Sequence, residues 1–241
     1  MNKQDKLLII CCSCKGSYSY SNGRFILIDF AAMRCVQSVV PLAYNRPTVD
    51  PAPIFTIGYG AREIDAFIAA LQQQRIEFLL DVRSRPYSRY KPDFSKDALE
   101  SHLRRAGIRY VFLGDSLGGR PADPTCYDAD GKVDYAQVEQ RAFYREGLDR
   151  VARAYEQGRR VALMCSEGKP EACHRSKLIG KSLAKRGIPV AHIDEHDELI
   201  SQEDVLPRLT GGQLSFFGDD MLPAGSRKRY ERPAGEADED E

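Results

Sequence analysis

The segment ALMCSEGKPEACHRSKLIGKSL (162–183) gathers Cys165, Glu167, Cys173, His174 and Arg175 into one short connection. A deprotonated cysteine is a nucleophile or a soft metal ligand. Histidine moves protons near neutral pH, and a carboxylate can orient it or act as a base. A guanidinium holds a phosphate or carboxylate at two points. If Cys165 ends a strand and Arg175 opens a helix, free N–H groups and the positive end of the helix dipole favour an anion there and lower a neighbouring thiol pKa. Each cysteine taken alone equally suits a small buried hydrophobe. The combination with His174 and Arg175 is what points to a site. No cofactor is expected. A zinc ion on Cys165, Cys173 and His174, with or without Cys126, would require the adjacent Cys173 and His174 to chelate together, which is awkward.

A second set lies upstream in DVRSRPYSRYKPDF (81–94), where Arg83, Arg85, Arg89 and Lys91 are interleaved with Tyr87 and Tyr90. Cations among aromatics suit phosphates and stackable bases. Asp81 and Arg83 lie nearest a strand end and are the stronger candidates, while Arg89 and Lys91 read as a solvated loop. Gly58 and Tyr59, Gly118 and Gly119, and Ser176 complete the candidate anion or substrate contacts, the glycines because they permit close backbone approach.

The elements that must position these residues follow from apolar periodicity. IFTIG (54–58), EFLLDV (77–82), RYVFLG (109–114), RVALMC (160–165) and VAHID (190–194) read as strands. Between them, Ile64, Phe67, Ile68 and Leu71 recur at helical spacing. Ser95 is a candidate N-cap for a helix carrying Leu99 and Leu103, which Gly107 would end. Leu148, Val151, Ala152 and Tyr155 form a further stripe, and another helix is expected from Arg175 to about Gly187. Continuous apolar strands alternating with amphipathic helices predict an α/β fold: a three-layer, mainly parallel, Rossmann-like sheet with helices on both faces. Ligands of such sheets bind beyond the carboxyl ends of the strands. The chemistry-bearing groups follow those ends, including Asp194, Glu195 and His196 after the fifth strand.

The chain has 241 residues, with 35 Lys plus Arg balanced by 35 Asp plus Glu. Total charge therefore indicates no partner, although positive charge collects at 83–91 and negative charge at 236–241. Residues 1–52 lack a sustained period and read as a poorly structured leader, with Met33 as an alternative start. Cys11, Cys12 and Cys14 lack a fourth ligand at finger-like spacing. Residues 53–209 read as the domain. Residues 210–241, rich in Gly, Ser, Pro and charge, read as a flexible tail. With seven cysteines, no secretory leader and no apolar run of about 20 residues, a reduced, cytoplasmic protein without membrane contact is expected.

Gly58-Tyr59, Asp81-Val82-Arg83, Leu117-Gly118-Gly119 and Cys165…Glu167…Cys173-His174-Arg175-Ser176, in this order, resemble the bacterial domain of unknown function 488 over about 54–209. That resemblance implies an α/β domain and supplies no reaction. Asp81-Val82-Arg83 and Cys165…Arg175-Ser176 are also similar to rhodanese-type sulfurtransferases, but the loop from Cys165 to Arg175 is longer than the rhodanese cradle and carries a second cysteine. In the tail, Gln213, Leu214, Ser215, Phe216 and Phe217 resemble the pentapeptide that docks in the apolar groove of the bacterial DNA sliding clamp.

These readings lead to an enzyme of DNA or nucleotide metabolism with a phosphate site at the strand ends. Cys165 would be nucleophile or ligand, Arg175 and Arg83 would hold the anion, and His174 and Glu167 would handle protons. The QLSFF peptide would recruit it to the clamp. The alternatives are a non-catalytic nucleic-acid binding adaptor and a sulfurtransferase working through a Cys165 persulfide.

Overall fold

The computed structural model describes residues 9–10, 17–21, 24–28, 51–209, 225–226 and 228–231. The chain divides into two units, Met1–Val49 and Asp50–Glu241. In the first, Ile9–Ile10 (β1), Ser17–Ser21 (β2) and Arg24–Ile28 (β3) form an antiparallel sheet in that order. Ser21 pairs with Arg24. The residues between them in sequence are Asn22-Gly23, the dipeptide that two-residue hairpins favour, a signal that the absence of a longer period in 1–52 obscures. Cys11, Cys12, Cys14 and Met33 lie outside the described residues.

The second unit is built on Ile54–Gly58 (β4), Phe78–Asp81 (β5), Arg109–Phe112 (β6), Val161–Cys165 (β7), Val190–Ile193 (β8) and Leu199–Ser201 (β9). The sheet order is β6-β5-β7-β4-β8-β9, parallel throughout except that β9 runs antiparallel to β8. The five parallel strands are those the apolar runs predict. β9 escapes that pattern because it is a three-residue edge strand with two exposed side chains.

Helices cover both faces. Ile64–Gln73 (α1) and Lys96–Arg105 (α2) place Phe67, Leu71, Leu99 and Leu103 against Phe55, Ile57, Leu79 and Met164. On the opposite face lie Gly114–Leu117 (α3), Tyr135–Gln140 (α4), Ala142–Glu156 (α5) and Lys181–Lys185 (α6). Their Leu117, Tyr144, Leu148, Val151 and Leu183 pack with Ile54, Leu80, Val161 and Leu163. Successive strand residues thus alternate between two apolar layers, as a strand buried on both sides requires. Gln202–Leu209 (α7) follows β9.

The site depends on how two neighbouring strands are left. β4 and β7 are adjacent and parallel, with Gly58 beside Cys165. The chain leaves β4 toward α1 on one face and leaves β7 toward α6 on the other. Loops that part in this way open a crevice at the carboxyl ends of the strands.

Four local departures from the sequence pattern have physical causes. The third strand stops at Phe112, and Gly114 opens α3. The helix expected from Arg175 begins as a π-helical turn, Arg175–Gly180, before α6. Ser95 occupies the N-cap position of α2, but its hydroxyl accepts the Ser88 N–H at 3.2 Å and makes no cap bond. Part of the expected flexible tail is docked. The Ser226 N–H donates to Val133 O, the Val133 N–H donates to Ser226 Oγ, both at 2.9 Å, and the Tyr230 N–H donates to Gly131 O. Composition gave no hint of this because the docking is largely main-chain pairing. Residues 213–217 lie outside the described residues.

Buried His192 on β8 carries a pH signature of the fold. Its Nε2 donates to Gln202 Oε1 at 2.8 Å and its Nδ1 accepts from Thr56 Oγ1 at 2.7 Å. Burial pushes its pKa down to about 4. The unfolded chain binds a proton on this group below about pH 6.5 that the fold refuses. Its neutral form therefore costs nothing above that pH, and stability falls as pH drops toward 4. At about 1.4 kcal/mol per pH unit, the loss is on the order of 3 kcal/mol by pH 4. Urea unfolding of His192→Gln should show a flatter pH profile than wild type across this window, and parallel profiles would contradict the assignment.

Candidate functional site

Between Cys165 and the π-turn the chain runs through an irregular loop with one short 3-10 turn, Pro170–Ala172. Such a loop leaves carbonyls that must be satisfied if buried. Arg175 satisfies two of them: Nη1 donates to Glu167 O at 2.6 Å and Nη2 to Gly168 O at 2.7 Å. The whole side chain is buried. β4 supports the same loop from the other side, with the Tyr59 N–H donating to Cys165 O and the Gly60 N–H to Ser166 O. Gly58 is required by proximity. A Cβ there would lie 1.7 Å from Glu167 O and 2.2 Å from Arg175 Nη1.

This corrects three expected anion contacts. The Arg175 guanidinium clamps its own loop and does not line the cleft, so it is not placed to hold an anion. Ser176 is fully buried behind it and also lies away from the cleft. Gly58 makes room for the clamp, not for a ligand.

The clamp curls the loop so that two cysteines meet one histidine. Cys165 Sγ lies 3.8 Å and Cys173 Sγ 3.6 Å from His174 Nδ1. His174 Nε2 donates to Val82 O at 3.1 Å, which turns Nδ1 toward the sulfurs, as acceptor when the ring is neutral and as donor when it is charged. The Arg175 N–H donates to Cys173 Sγ at 3.5 Å, and the Glu167 N–H donates to Cys165. Hydrogen bonding from Cys173, the His174 charge and the Glu167 N–H hold the Cys165 thiol well below its usual range, against the effect of burial. Burial, then the adjacent Cys165, push Cys173 well above it. Of the two sulfurs, Cys165 is the one biased toward the thiolate. A Cβ on Gly119 would come within 2.9 Å of the imidazole, so this glycine seats His174. Gly118 packs on Ser84 and Gly114 and does not line the cleft, a correction to its expected ligand role.

Arg83 faces this cluster from the end of β5. Fully buried Asp81 accepts from its N–H at 3.1 Å, its Nε at 2.9 Å and its Nη2 at 2.6 Å, and from Tyr110 Oη at 2.8 Å. The guanidinium also lies 5.6 Å from the centroid of the Tyr59 ring, which stacks on Phe94. Arg83 is only 5% exposed, yet its Nη1 has no partner among the described residues.

Cys165, Cys173, His174 and Arg83 share a cleft of about 330 Å³. Tyr59, Arg85, Glu167 and Gly119 also line it, as the sequence expects. Ser84, Tyr87, Arg120, Tyr135, Lys228 and Tyr230 line it too. Arg120 follows the glycine pair and could have been suspected as a cation at the same rim. Lys228 and Tyr230 come from the docked tail, where no local pattern marks them. Arg120 lies 4.0 Å from the Tyr230 ring centroid. Asp194, Glu195 and His196 stand apart from the cleft. Asp194 is buried and accepts the His196 and Glu198 N–H groups, closing the turn into β9. Cys126 is packed in the hydrophobic layer under α4 and α5, away from the other two cysteines.

The fold and the cleft define a mainly parallel α/β protein with a cationic, thiol-bearing site at its strand ends. Residues 63–181 match the family described as Domain of unknown function DUF488, and this part of the chain belongs to that family. The matched stretch contains Asp81, Arg83, Cys165, Cys173, His174 and Arg175. No curated protein and no solved structure matches the chain. Among the described residues, no helix is long and apolar enough to cross a membrane.

Proposed function

We propose that the cleft binds and transforms a phosphate-bearing substrate, a nucleotide or nucleic acid, in a cysteine-dependent enzyme of DNA or nucleotide metabolism. The observation that carries this reading is the unpartnered Nη1 of Arg83, held by buried Asp81 at a cleft that Cys165 also lines. A buried guanidinium N–H without an acceptor is costly, and an anionic ligand supplies one. Arg85, Arg120 and Lys228 add positive charge, with Glu167 as the acidic residue of the lining. The exposed ring of Tyr87 suits a base ring.

In this reading Arg83 fixes the phosphate, and Asp81 positions Arg83. Cys165 supplies the reactive sulfur, and His174 Nδ1 exchanges protons with it. A binding adaptor has no need of a sulfur paired with an imidazole at 3.8 Å in the cleft, which favours the enzyme over the adaptor. The reduced sulfurs suit the cytoplasm. The peptide Gln213, Leu214, Ser215, Phe216 and Phe217 would bring the enzyme to the DNA sliding clamp.

Two measurements test these parts separately. Arg83→Lys keeps a cation beside Asp81 but removes Nη1. With a nucleoside monophosphate as probe, calorimetry should give affinity weaker by about 10- to 100-fold, the loss of one charge-assisted hydrogen bond. Wild-type affinity would remove Arg83 from the anion site. Clamp capture should be lost in the double change Phe216→Ala and Phe217→Ala, and capture that survives it would remove the recruiting peptide.

A further inference from the structure

We infer that Cys165, Cys173 and His174 are the protein ligands of one zinc-class divalent ion whose remaining position faces the cleft. The inference deepens the functional reading by assigning metal ligation at its sulfur centre, where His174 Nδ1 serves as a ligand in place of exchanging a proton with Cys165, and it rests on that reading only for the anion beside the ion.

The three ligand atoms lie within 4.8 Å of one another, with sulfur-to-nitrogen separations of 3.8 and 3.6 Å. A tetrahedral zinc ion, with bonds of about 2.3 Å to sulfur and about 2.1 Å to nitrogen, sets those separations near 3.6 Å. An ion therefore fits the cluster with little movement of the backbone.

The groups around the cluster match as well. A ligating imidazole usually donates its other N–H to a carbonyl or carboxylate, which fixes its tautomer and orientation. His174 does this to Val82 O at 3.1 Å. Cys173 Sγ accepts the Arg175 main-chain N–H at 3.5 Å, as a ligating thiolate would. A single imidazolium balances one thiolate, whereas a divalent cation balances two. Two thiolates and one imidazole form a soft set that suits zinc over magnesium or calcium. Three protein ligands with an open position are the arrangement of catalytic rather than structural zinc.

On regular backbone, adjacent residues such as Cys173 and His174 are poorly placed to chelate one ion. The backbone resolves the difficulty. Cys173 is extended (φ −117°, ψ 150°), whereas His174 is already helical (φ −62°, ψ −23°) at the mouth of the π-turn. A change of backbone conformation between neighbours lets both side chains reach the same point, which neither a regular strand nor a regular helix would allow.

The test uses the full chain with Cys11, Cys12, Cys14 and Cys35 changed to Ser, so that leader thiols do not contribute. After exposure to Zn²⁺ and gel filtration, mass-spectrometric metal analysis should find about one zinc per chain. Co²⁺ in its place should give intense thiolate-to-cobalt charge-transfer bands and tetrahedral visible bands. Cys173→Ser and His174→Gln should each bind zinc at least about tenfold more weakly, while Cys126→Ser retains it. Circular dichroism of each variant separates ligand loss from unfolding. For a variant that does unfold, the cobalt spectrum of the parent chain decides the ligand type. A parent chain that takes up no zinc, a cobalt spectrum without thiolate bands, or equal loss in Cys126→Ser would overturn the assignment. Zinc retained in Arg83→Lys with weakened nucleotide binding supports both readings. Arg83-dependent nucleotide binding without zinc uptake sinks the metal assignment alone.

Discussion

A guanidinium sealed inside the protein is the constraint on which the site depends. Burying Arg175 carries a desolvation cost of several kcal/mol unless its N–H groups find good acceptors. Its two terminal nitrogens find them in the carbonyls of Glu167 and Gly168. Those bonds fix the path of a loop that would otherwise have no regular structure. Cys165 and Cys173, eight positions apart in the chain, therefore meet on one imidazole. Gly58 belongs to the same constraint, since the clamp lies where a side chain on β4 would have to stand.

The sheet topology turns this local device into a cleft. β4 and β7 are neighbours, and their following segments depart to opposite faces, so the space above their ends stays open. β5 lies on the other side of β7 and delivers Arg83 into that space. The Asp81–Arg83 pair is buried and is better understood as orientation than as stabilisation, because buried ion pairs seldom gain much net energy over apolar packing. Asp81 engages Nε and Nη2 and leaves Nη1 unpartnered. The docked residues 226, 228 and 230 add a wall supplied from far along the chain.

Much of this was legible in the sequence, and the failures are informative. The parallel strands were visible because strands buried on both faces must be apolar at every position. The cleft could be located because ligand sites of such sheets follow strand ends, and Asp81, Arg83, Cys165 and His174 all do. Arg175 was misread because the rule for helix starts assumes a regular first turn that points outward. Here the turn is π-helical and the side chain folds back under its own loop. The proximity of Cys173 to His174 was discounted on the same assumption of regular backbone. β9, Ser226 and Lys228 left no periodic trace, since they are placed by edge pairing and main-chain hydrogen bonds. The Asn22-Gly23 signal was present but local, and a search for longer periods passes over it.

The most direct test of the whole arrangement is a crystal structure of the protein with a bound nucleoside monophosphate. A phosphate oxygen should lie about 3 Å from Arg83 Nη1, in the cleft that Cys165 and His174 line, with Arg175 still bonded to the Glu167 and Gly168 carbonyls. A phosphate held by Arg175, or bound outside this cleft, would contradict the account.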